Sequence, residues 1–227
     1  MLVVHHLNNS RSQRVLWMLE EIGLDYQIRF YKRNPDMTAP DALKRIHPLG
    51  KSPIVEDIGD DENRTILVET GAICQYLVDK SAGRLGPSAD PEDVYRYRQF
   101  LHYAEGSVMP VLLALLVLSK VPLLGRLGAK RIRPMLDVHL DYVESELSSR
   151  QWFAGETLTA ADIMMSFPLE TAAKRAGKVT PRPATADWLK RIHDRPAYRR
   201  ALEKGGRYAY APLHVDSVTL AEVQDRS

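Results

Sequence analysis

Every segment of this chain that has the pattern of a β-strand lies before residue 69, and a stretch rich in proline and glycine follows residue 81. The strand-like segments are short and rich in β-branched or aromatic residues, and they cover residues 2–7, 26–31, 54–56 and 65–68. Beyond the proline-rich and glycine-rich stretch, apolar residues recur only at helical spacing. The sequence predicts an α+β domain over residues 1–81, a linker over 82–91, an all-helical domain over 92–212 and a polar tail over 213–227.

Helical patterns alternate with the strands in the first domain. Val15, Met18, Leu19 and Ile22 form one apolar stripe, and Gly23 stands where a helix-terminating glycine belongs. Shorter helical patterns cover residues 42–46 and begin again at residue 70. The predicted order is βαβαββα, a small mixed sheet with helices on its faces. This is a thioredoxin-like arrangement, and its first βαβ crossover should be right-handed.

The second domain has the pattern of several helices. Residues 92–118 form a long helical segment that we expect to bend at Pro110, because proline lacks the N–H that a helix interior needs. Pro122 and Gly125 are expected to end it before a second long helix. We predict that helix and three shorter ones at residues 129–147, 160–176, 186–193 and 197–204.

Composition excludes several classes of protein. The 227-residue chain has a net charge of +2, which does not favour nucleic acid as a partner. Its single cysteine, Cys74, excludes an internal disulfide and a CxxC redox pair. The first residues lack the pattern of a signal peptide, and the apolar run over residues 108–118 is shorter than the ~20 residues a membrane helix needs. We therefore expect a cytoplasmic protein that binds neither nucleic acid nor membrane.

Two neighbouring motifs carry the chemistry of the first domain. In the first, Lys51 and Ser52 precede Pro53, which places a cation beside a proline turn at the start of a strand. In the second, Glu69 and Thr70 stand at the start of a helix, where backbone N–H groups attract anions. Each motif alone is typical of an ordinary turn or helix cap. Together they could hold a zwitterionic peptide by both of its ends.

These motifs resemble the glutathione-binding half of soluble, cytosolic-type glutathione S-transferases, in particular a serine-type branch of bacteria and fungi. The resemblance implies that the Ser52–Pro53 peptide bond is cis and that the main chain of Ser52 pairs with the glutathione backbone as an added strand would. It further implies that Thr70 binds the γ-glutamyl carboxylate, that Glu69 faces the ammonium group and that Lys51 neutralises the glycyl carboxylate.

The family's catalytic group falls at the start of the first helix. There it must lower the pKa of the glutathione thiol from about 8.5, because the thiolate is the nucleophile. In this chain the segment contains Asn9 and Ser10 and lacks the tyrosine or cysteine of other family branches. Ser10 is the first candidate and Asn9 the second. Both could instead serve only as helix caps.

The second domain carries a structural motif of the same family at residues 155–162. Thr159 and Asp162 have the spacing of a capping box, and Leu158 with Ile163 could form its hydrophobic staple. The resemblance therefore extends from about residue 1 to residue 205. We interpret this motif as part of the folding of the domain rather than of catalysis.

The resemblance implies a homodimeric glutathione transferase that uses glutathione as co-substrate, requires no metal and attacks small hydrophobic electrophiles held against the helical domain. Two alternatives stay open. One is a glutathione-dependent peroxidase or reductase, although the absence of a cysteine at the first helix disfavours disulfide reduction. The other is a non-catalytic binding or regulatory protein of the same fold, since fold alone does not establish function.

Overall fold

The structure is a computed structural model that describes residues 1–60, 63–122, 124–175 and 181–211. The predicted polar tail at 213–227 and parts of the turn at 59–63 lie outside the described residues. The chain divides into two compact units. The first comprises Met1–Arg84 together with the chain from Ile192 onward, and the second comprises Leu85–Arg191.

The first unit contains a four-stranded mixed sheet in the order β2-β1-β3-β4. Its strands are β1 (Leu2–Leu7), β2 (Tyr26–Tyr31), β3 (Ile54–Ile58) and β4 (Arg64–Val68). Strands β1 and β2 are parallel, whereas β3 is antiparallel to both β1 and β4. Helix α1 (Ser12–Ile22) connects the parallel pair, a 3-10 helix (Asp41–Arg45) precedes β3, and α2 (Thr70–Lys80) follows β4. The predicted βαβαββα order is confirmed, with its second helix formed as a short 3-10 turn.

Helix α1 forms where the apolar stripe predicted it. Val15, Met18, Leu19 and Ile22 are fully buried. Gly23 adopts the left-handed conformation with φ of 66°, and its N–H donates to the Leu19 carbonyl at 2.9 Å. A residue without a Cβ adopts this conformation at little cost, so the helix ends there.

The last described helix, α8 (Pro196–Gly205), packs against α1 within the first unit. The Trp17 and Tyr198 rings meet edge to face at 5.3 Å. The Glu21 carboxylate accepts two hydrogen bonds from the Arg195 guanidinium, at 2.5 and 2.9 Å. The ring contact and a two-point ion pair therefore help to hold the two helices together.

Among its described residues, the second unit contains helices joined by turns and loops and has no strand. Its helices are α3 (Pro91–Tyr103), α4 (Met109–Ser119), α5 (Leu124–Ser149), α6 (Ala160–Arg175) and α7 (Pro183–His193), the last of which runs into the first unit. All the predicted helices are present. The end predicted for α6 at residue 176 lies outside the described residues.

Two details of the second unit differ from the prediction. The irregular turn of the first long segment is a π-helix at Ala104–Val108, and Pro110 lies just after it, in the first turn of α4. Gly125 lies inside α5 and does not end a helix. A Cβ at Gly125 would overlap the Leu118 carbonyl oxygen, so glycine is there because α4 and α5 approach closely.

Asp162 joins three segments of the second unit. Its carboxylate accepts hydrogen bonds from the Thr159 N–H at 2.9 Å, the Thr159 hydroxyl at 3.0 Å, the Phe153 N–H at 3.0 Å and the Trp188 indole at 3.3 Å. The hydrogen bond from the Thr159 N–H to the Asp162 carboxylate is the one that the capping-box spacing predicted. Burial nevertheless raises the pKa of Asp162 to about 6, although these hydrogen bonds favour its ionised form.

One continuous helical segment, Pro91–Ser119, is long and apolar enough by length and composition to cross a membrane. A helix in the core of a water-soluble protein can meet the same criterion. The 18-residue stretch that meets the criterion is 33% buried, and Phe100, Leu101, Ala104 and Val108 are among the buried residues of the whole segment.

Candidate functional site

Three chain segments converge at one end of the sheet in the first unit. The antiparallel register pairs His5 with Ile54 and Ile54 with Val68. The end of β1, the start of β3 and the end of β4 therefore lie side by side. The segments that continue from these strands contain the residues predicted as a binding site: Asn9, Ser10, Lys51, Ser52, Pro53, Glu69 and Thr70.

Ser10 meets the Pro53 segment directly. The hydroxyl oxygens of Ser10 and Ser52 lie 3.4 Å apart, and the Ser52 hydroxyl donates to the His5 carbonyl at 3.0 Å. Ser10 is 7% exposed. The structure thus brings together two site residues that sequence reasoning took from separate motifs.

The Ser52–Pro53 peptide bond is cis, as the resemblance implied. Ser52 lies outside the β1–β3 ladder, which begins on this strand at Ile54. Among the described residues, neither the N–H nor the C=O of Ser52 forms a backbone hydrogen bond. Unpaired backbone groups next to a sheet can pair with an extended peptide.

The start of α2 offers a second set of donors. Glu69 occupies the N-cap position with φ of 67° and ψ of 117°, and its side chain makes no capping hydrogen bond. The first intrahelical hydrogen bond reaches back from the Ile73 N–H, which leaves the N–H groups of the first turn without helical partners. Thr70 is buried and Glu69 is exposed. This helix start suits an anion, with a carboxylate beside it that suits a cation.

Lys51 is exposed and directly precedes Ser52. Within the described part of the chain its ammonium group forms no ion pair. Among these residues, therefore, no side chain neutralises the charge of Lys51.

Asn9 has a different environment from Ser10. It adopts φ of 52°, its side-chain oxygen accepts from the Ala209 N–H at 2.6 Å, and its carbonyl accepts from Arg33 at 3.1 Å. Arg33 also donates to the Asn8 carbonyl at 3.2 Å. Asn9 thus helps to hold the loop before α1, whereas Ser10 faces Ser52.

The sequence prediction missed two polar residues behind Ser10. The Ser12 hydroxyl lies 2.7 Å from the Ser10 hydroxyl and 2.8 Å from His6 Nδ1. Ser12 is fully buried and His6 is 3% exposed. Because side chains alternate along β1, His6 faces α1 while His5 faces away from it, where it bonds Tyr31 and Glu56. The sequence did offer a signal for this contact. His6 falls on the side of β1 that faces α1, and Ser10 and Ser12 stand at the start of that helix.

Cys74 is a buried cysteine of α2. Burial raises the pKa of its thiol to about 12, so it stays protonated near neutral pH. Within the described residues there is also no group of three or more His, Cys, Asp or Glu side chains that could hold a metal ion. The described residues at the sheet end offer hydroxyls, backbone amides and single charges.

The second unit has an apolar groove of its own, with a volume of about 790 Å³. Leucine side chains of α4 and α5 line much of it, and Arg126 and Arg133 stand among them. A concave surface of this kind suits an apolar ligand that carries a polar or anionic group.

Two models of known protein domains match this chain, one in each half of the sequence. Residues 10–80 match the model of the glutathione S-transferase N-terminal domain, and residues 109–196 match that of the C-terminal domain. Glutathione S-transferase 3 of Schizosaccharomyces pombe is 37% identical over 218 residues, which cover 90% of this chain and 88% of that protein. The chain belongs to the glutathione S-transferase family. Its enzyme class is accordingly that of the glutathione transferases.

Other members of the family agree in sequence and in fold. Glutathione S-transferase 1 of Saccharomyces cerevisiae is 37% identical over 222 residues, covering 88% of this chain and 94% of that protein. A solved glutathione S-transferase of Actinobacillus pleuropneumoniae superposes with a TM-score of 0.78 at 33% identity, covering 96% of both chains. A family member from Pseudomonas fluorescens, solved with two glutathione molecules bound, has a TM-score of 0.73 at 26% identity and covers 88% of this chain and 92% of that one. The predicted fold class, thioredoxin-like followed by all-helical, is confirmed.

Proposed function

We propose that this protein conjugates the thiolate of glutathione to small hydrophobic electrophiles. The observation that carries the proposal is the convergence at one sheet end of the Ser10 hydroxyl, the backbone of Ser52 and the start of α2. Among the described residues, that backbone forms no backbone hydrogen bond and Glu69 makes no capping hydrogen bond. Each offers a kind of group that a γ-glutamyl tripeptide requires. Glutathione is the co-substrate, and the proposed chemistry requires no metal.

The two charged ends of glutathione would be held by different motifs. The γ-glutamyl carboxylate would accept hydrogen bonds from the hydroxyl and N–H of Thr70 at the positive end of α2. The carboxylate of Glu69 would face the ammonium group, and the backbone of Ser52 would pair with the cysteinyl residue as an added strand does. Lys51 would neutralise the glycyl carboxylate. The positive φ of Glu69 supports this assignment, because residues held in sparsely populated conformations cluster at ligand sites.

Ser10 is the proposed catalytic residue. A hydrogen bond from its hydroxyl to the glutathione sulfur would favour the thiolate over the thiol, and each unit by which the thiol pKa falls corresponds to about 1.4 kcal/mol. The thiolate then attacks the electrophilic carbon, the S–C bond forms and the leaving group departs with its electron pair. Asn9 is the second candidate, and it would donate to the sulfur through its side-chain NH2 group, since its side-chain oxygen accepts the Ala209 N–H.

Cys74 favours conjugation over disulfide reduction. Reduction through a protein cysteine needs an accessible thiolate, and this thiol is buried with a pKa raised to about 12. We also propose that the protein works in the cytoplasm as a homodimer. Sedimentation velocity over a range of protein concentrations tests the dimer, and a single monomer boundary at every concentration would refute it.

Titration calorimetry with glutathione and with S-methylglutathione tests the proposed function, followed by an assay with an activated aryl chloride. We expect both peptides to bind with dissociation constants between micromolar and millimolar, and product to form only with glutathione. Turnover of an organic hydroperoxide without conjugation would indicate the peroxidase alternative. An absence of binding by either peptide would refute the proposal and favour a non-catalytic protein.

A further inference from the structure

The junction between α4 and α5 exposes aliphatic side chains to solvent. Val117 is 56% exposed, Leu124 71% and Leu127 67%. Single exposed apolar residues are ordinary on a protein surface, but these three lie on one short stretch, from the last turn of α4 to the first turn of α5. Residues 117–122 and 124–133 of this stretch form what we name the α4–α5 tip.

The α4–α5 tip is also strongly basic. Between Glu105 and Asp137 the sequence has no acidic residue and five basic ones, whereas the net charge of the whole chain is only +2. All five basic residues belong to the tip and are exposed: Lys120, Arg126, Lys130, Arg131 and Arg133. Within the part of the chain that the structure describes, the first four form no ion pair. The positive charge of the protein is therefore concentrated beside the exposed aliphatic side chains.

On α5 the two kinds of side chain occupy different faces. Leu124 and Leu127 are three residues apart and share one face of the helix. Arg126, Lys130 and Arg133 follow at spacings of four and three residues and share another. Both faces are exposed. A helix with this arrangement can lie at a lipid–water boundary, because its apolar side chains enter the acyl region while lysine and arginine stay among the headgroups.

We propose that the α4–α5 tip binds the surface of membranes that contain anionic lipids, with Leu124 and Leu127 inserted below the headgroups. Basic residues near such a surface are attracted by its negative potential. We expected no membrane partner because the apolar run is too short to cross a bilayer, but that length does not limit binding at a surface. The inference goes beyond the proposed function and does not depend on it.

Two other partners fit the α4–α5 tip less well. A twofold interface pairs a surface patch with itself, so a second copy of the chain bound there would bring five more cations against the first five. Nucleic acid would meet the cations through its phosphates but would leave Leu124 and Leu127 without an apolar partner. An anionic lipid surface supplies both the negative charge and the hydrocarbon.

Flotation of the full chain with lipid vesicles tests the proposal. The vesicles contain phosphatidylcholine alone or an equimolar mixture of phosphatidylcholine and phosphatidylserine. The protein should float with the mixed vesicles at low salt, float less as salt rises, and stay unbound with phosphatidylcholine alone.

Paired substitutions separate the contribution of charge from that of apolar insertion. Lys130→Gln/Arg131→Gln should weaken partitioning onto mixed vesicles about twentyfold, because each charge contributes about fivefold. Leu124→Ser/Leu127→Ser should weaken it about tenfold or more and keep the salt dependence. The matched control is Lys174→Gln/Lys190→Gln, which makes the same change of charge at exposed positions of the same unit, and it should change partitioning less than twofold.

Insertion can be observed through an added indole. The three tryptophans of the chain, Trp17, Trp152 and Trp188, are buried, so their emission should change little on binding. In Leu127→Trp the emission of the added indole should shift to shorter wavelength with mixed vesicles and be quenched by lipids brominated on the acyl chain. A signal that neither shifts nor is quenched would overturn the proposed insertion.

Calorimetric affinity for glutathione should be the same in wild type and in all these variants, which shows that they fold and keeps this inference separate from the proposed function. An absence of flotation with mixed vesicles at low salt, or an equal loss in the control, overturns the inference. If vesicles are not bound, dissociation of a dimer in Leu124→Ser/Leu127→Ser would assign the tip to an interface between copies. Binding of duplex DNA or of monomeric dodecanoate without binding of vesicles would assign it to nucleic acid or to a single amphiphile, and would overturn the inference as well.

Discussion

The hydroxyl of Ser10 lies 3.4 Å from the hydroxyl of Ser52, the residue whose peptide bond to Pro53 is cis. One residue precedes the first helix and the other precedes a strand that is distant in sequence. Their contact joins the proposed thiol-activating residue to the proposed peptide-binding backbone. Substitutions on either side should therefore separate activation of glutathione from its binding.

Ser10→Ala should slow conjugation about tenfold to a hundredfold at neutral pH and raise the pKa of bound glutathione, because a hydrogen bond to a charged group contributes about 1.5–3 kcal/mol. Glutathione affinity should change little. The measurement is the pH profile of kcat/KM for the electrophile together with calorimetric affinity. Asn9→Ala is the matched comparison. If Asn9→Ala raised the thiol pKa more than Ser10→Ala does, Asn9 would be the catalytic residue.

Lys51→Ala and Glu69→Gln should each weaken glutathione binding about threefold to thirtyfold, because each removes one partner of a partly exposed charge pair with the peptide. Lys32→Ala and Asp25→Asn are the controls, since both residues are exposed charges of the same unit and lie outside the proposed site. Calorimetric dissociation constants at two salt concentrations measure the effect. If the site variants and the controls lost glutathione affinity equally, the effect would come from the net charge of the protein and not from these two positions.

The fold and the outline of the site could be predicted from local patterns. The α1 stripe, its Gly23 stop and the order of strands follow from periodicity and glycine chemistry, which act over a few residues. Lys51, Pro53, Glu69 and Thr70 stay predictions as site residues; they were chosen for their places relative to strand and helix ends and for the family resemblance. The antiparallel pairing of β3 with β1 and β4 brings the ends of their strands to one side of the sheet.

Features that depend on contacts between distant segments could not be predicted. The hydrogen bonds from Ser10 through Ser12 to His6 depend on the angle at which α1 leaves β1. Gly125 resembled a helix-breaking residue because its role, close approach to Leu118, appears only when α4 and α5 pack. Sequence spacing carries no information on either contact.

The buried His6 should make the protein less stable in acid. Its folded-state pKa of about 4 lies below its ordinary value of 6.5, so the unfolded chain binds a proton first as pH falls. This contribution to stability is complete above pH 6.5 and is lost toward pH 4, for a total of about 3 kcal/mol. Denaturant unfolding of wild type and His6→Phe at several pH values measures it. The difference in the free energy of unfolding between wild type and His6→Phe should change between pH 6.5 and pH 4. If the two free energies changed in parallel with pH, the prediction would be contradicted.

Arg195→Ala should lower the free energy of unfolding by about 1–3 kcal/mol, because it leaves the largely buried Glu21 carboxylate without its two-point partner. Arg199→Ala is the matched control. Its pair with Asp194 is about half exposed on both sides, so the loss should be about 0.5 kcal/mol or less. Urea unfolding at neutral pH measures both, and equal losses would show that the Glu21 pair contributes no more than a surface ion pair.

Gly125→Ala should destabilise the helical unit by about 1–3 kcal/mol, because the added methyl group overlaps the Leu118 carbonyl oxygen and the backbone must move to admit it. Gly106→Ala introduces the same group into a helical turn where no atom lies within 4 Å, and it should be neutral or stabilising by up to about 1 kcal/mol. Differential scanning calorimetry of the two variants and wild type measures the contrast. If Gly125→Ala melted at or above the wild-type temperature, α4 and α5 would not approach as closely in solution as the structure has them.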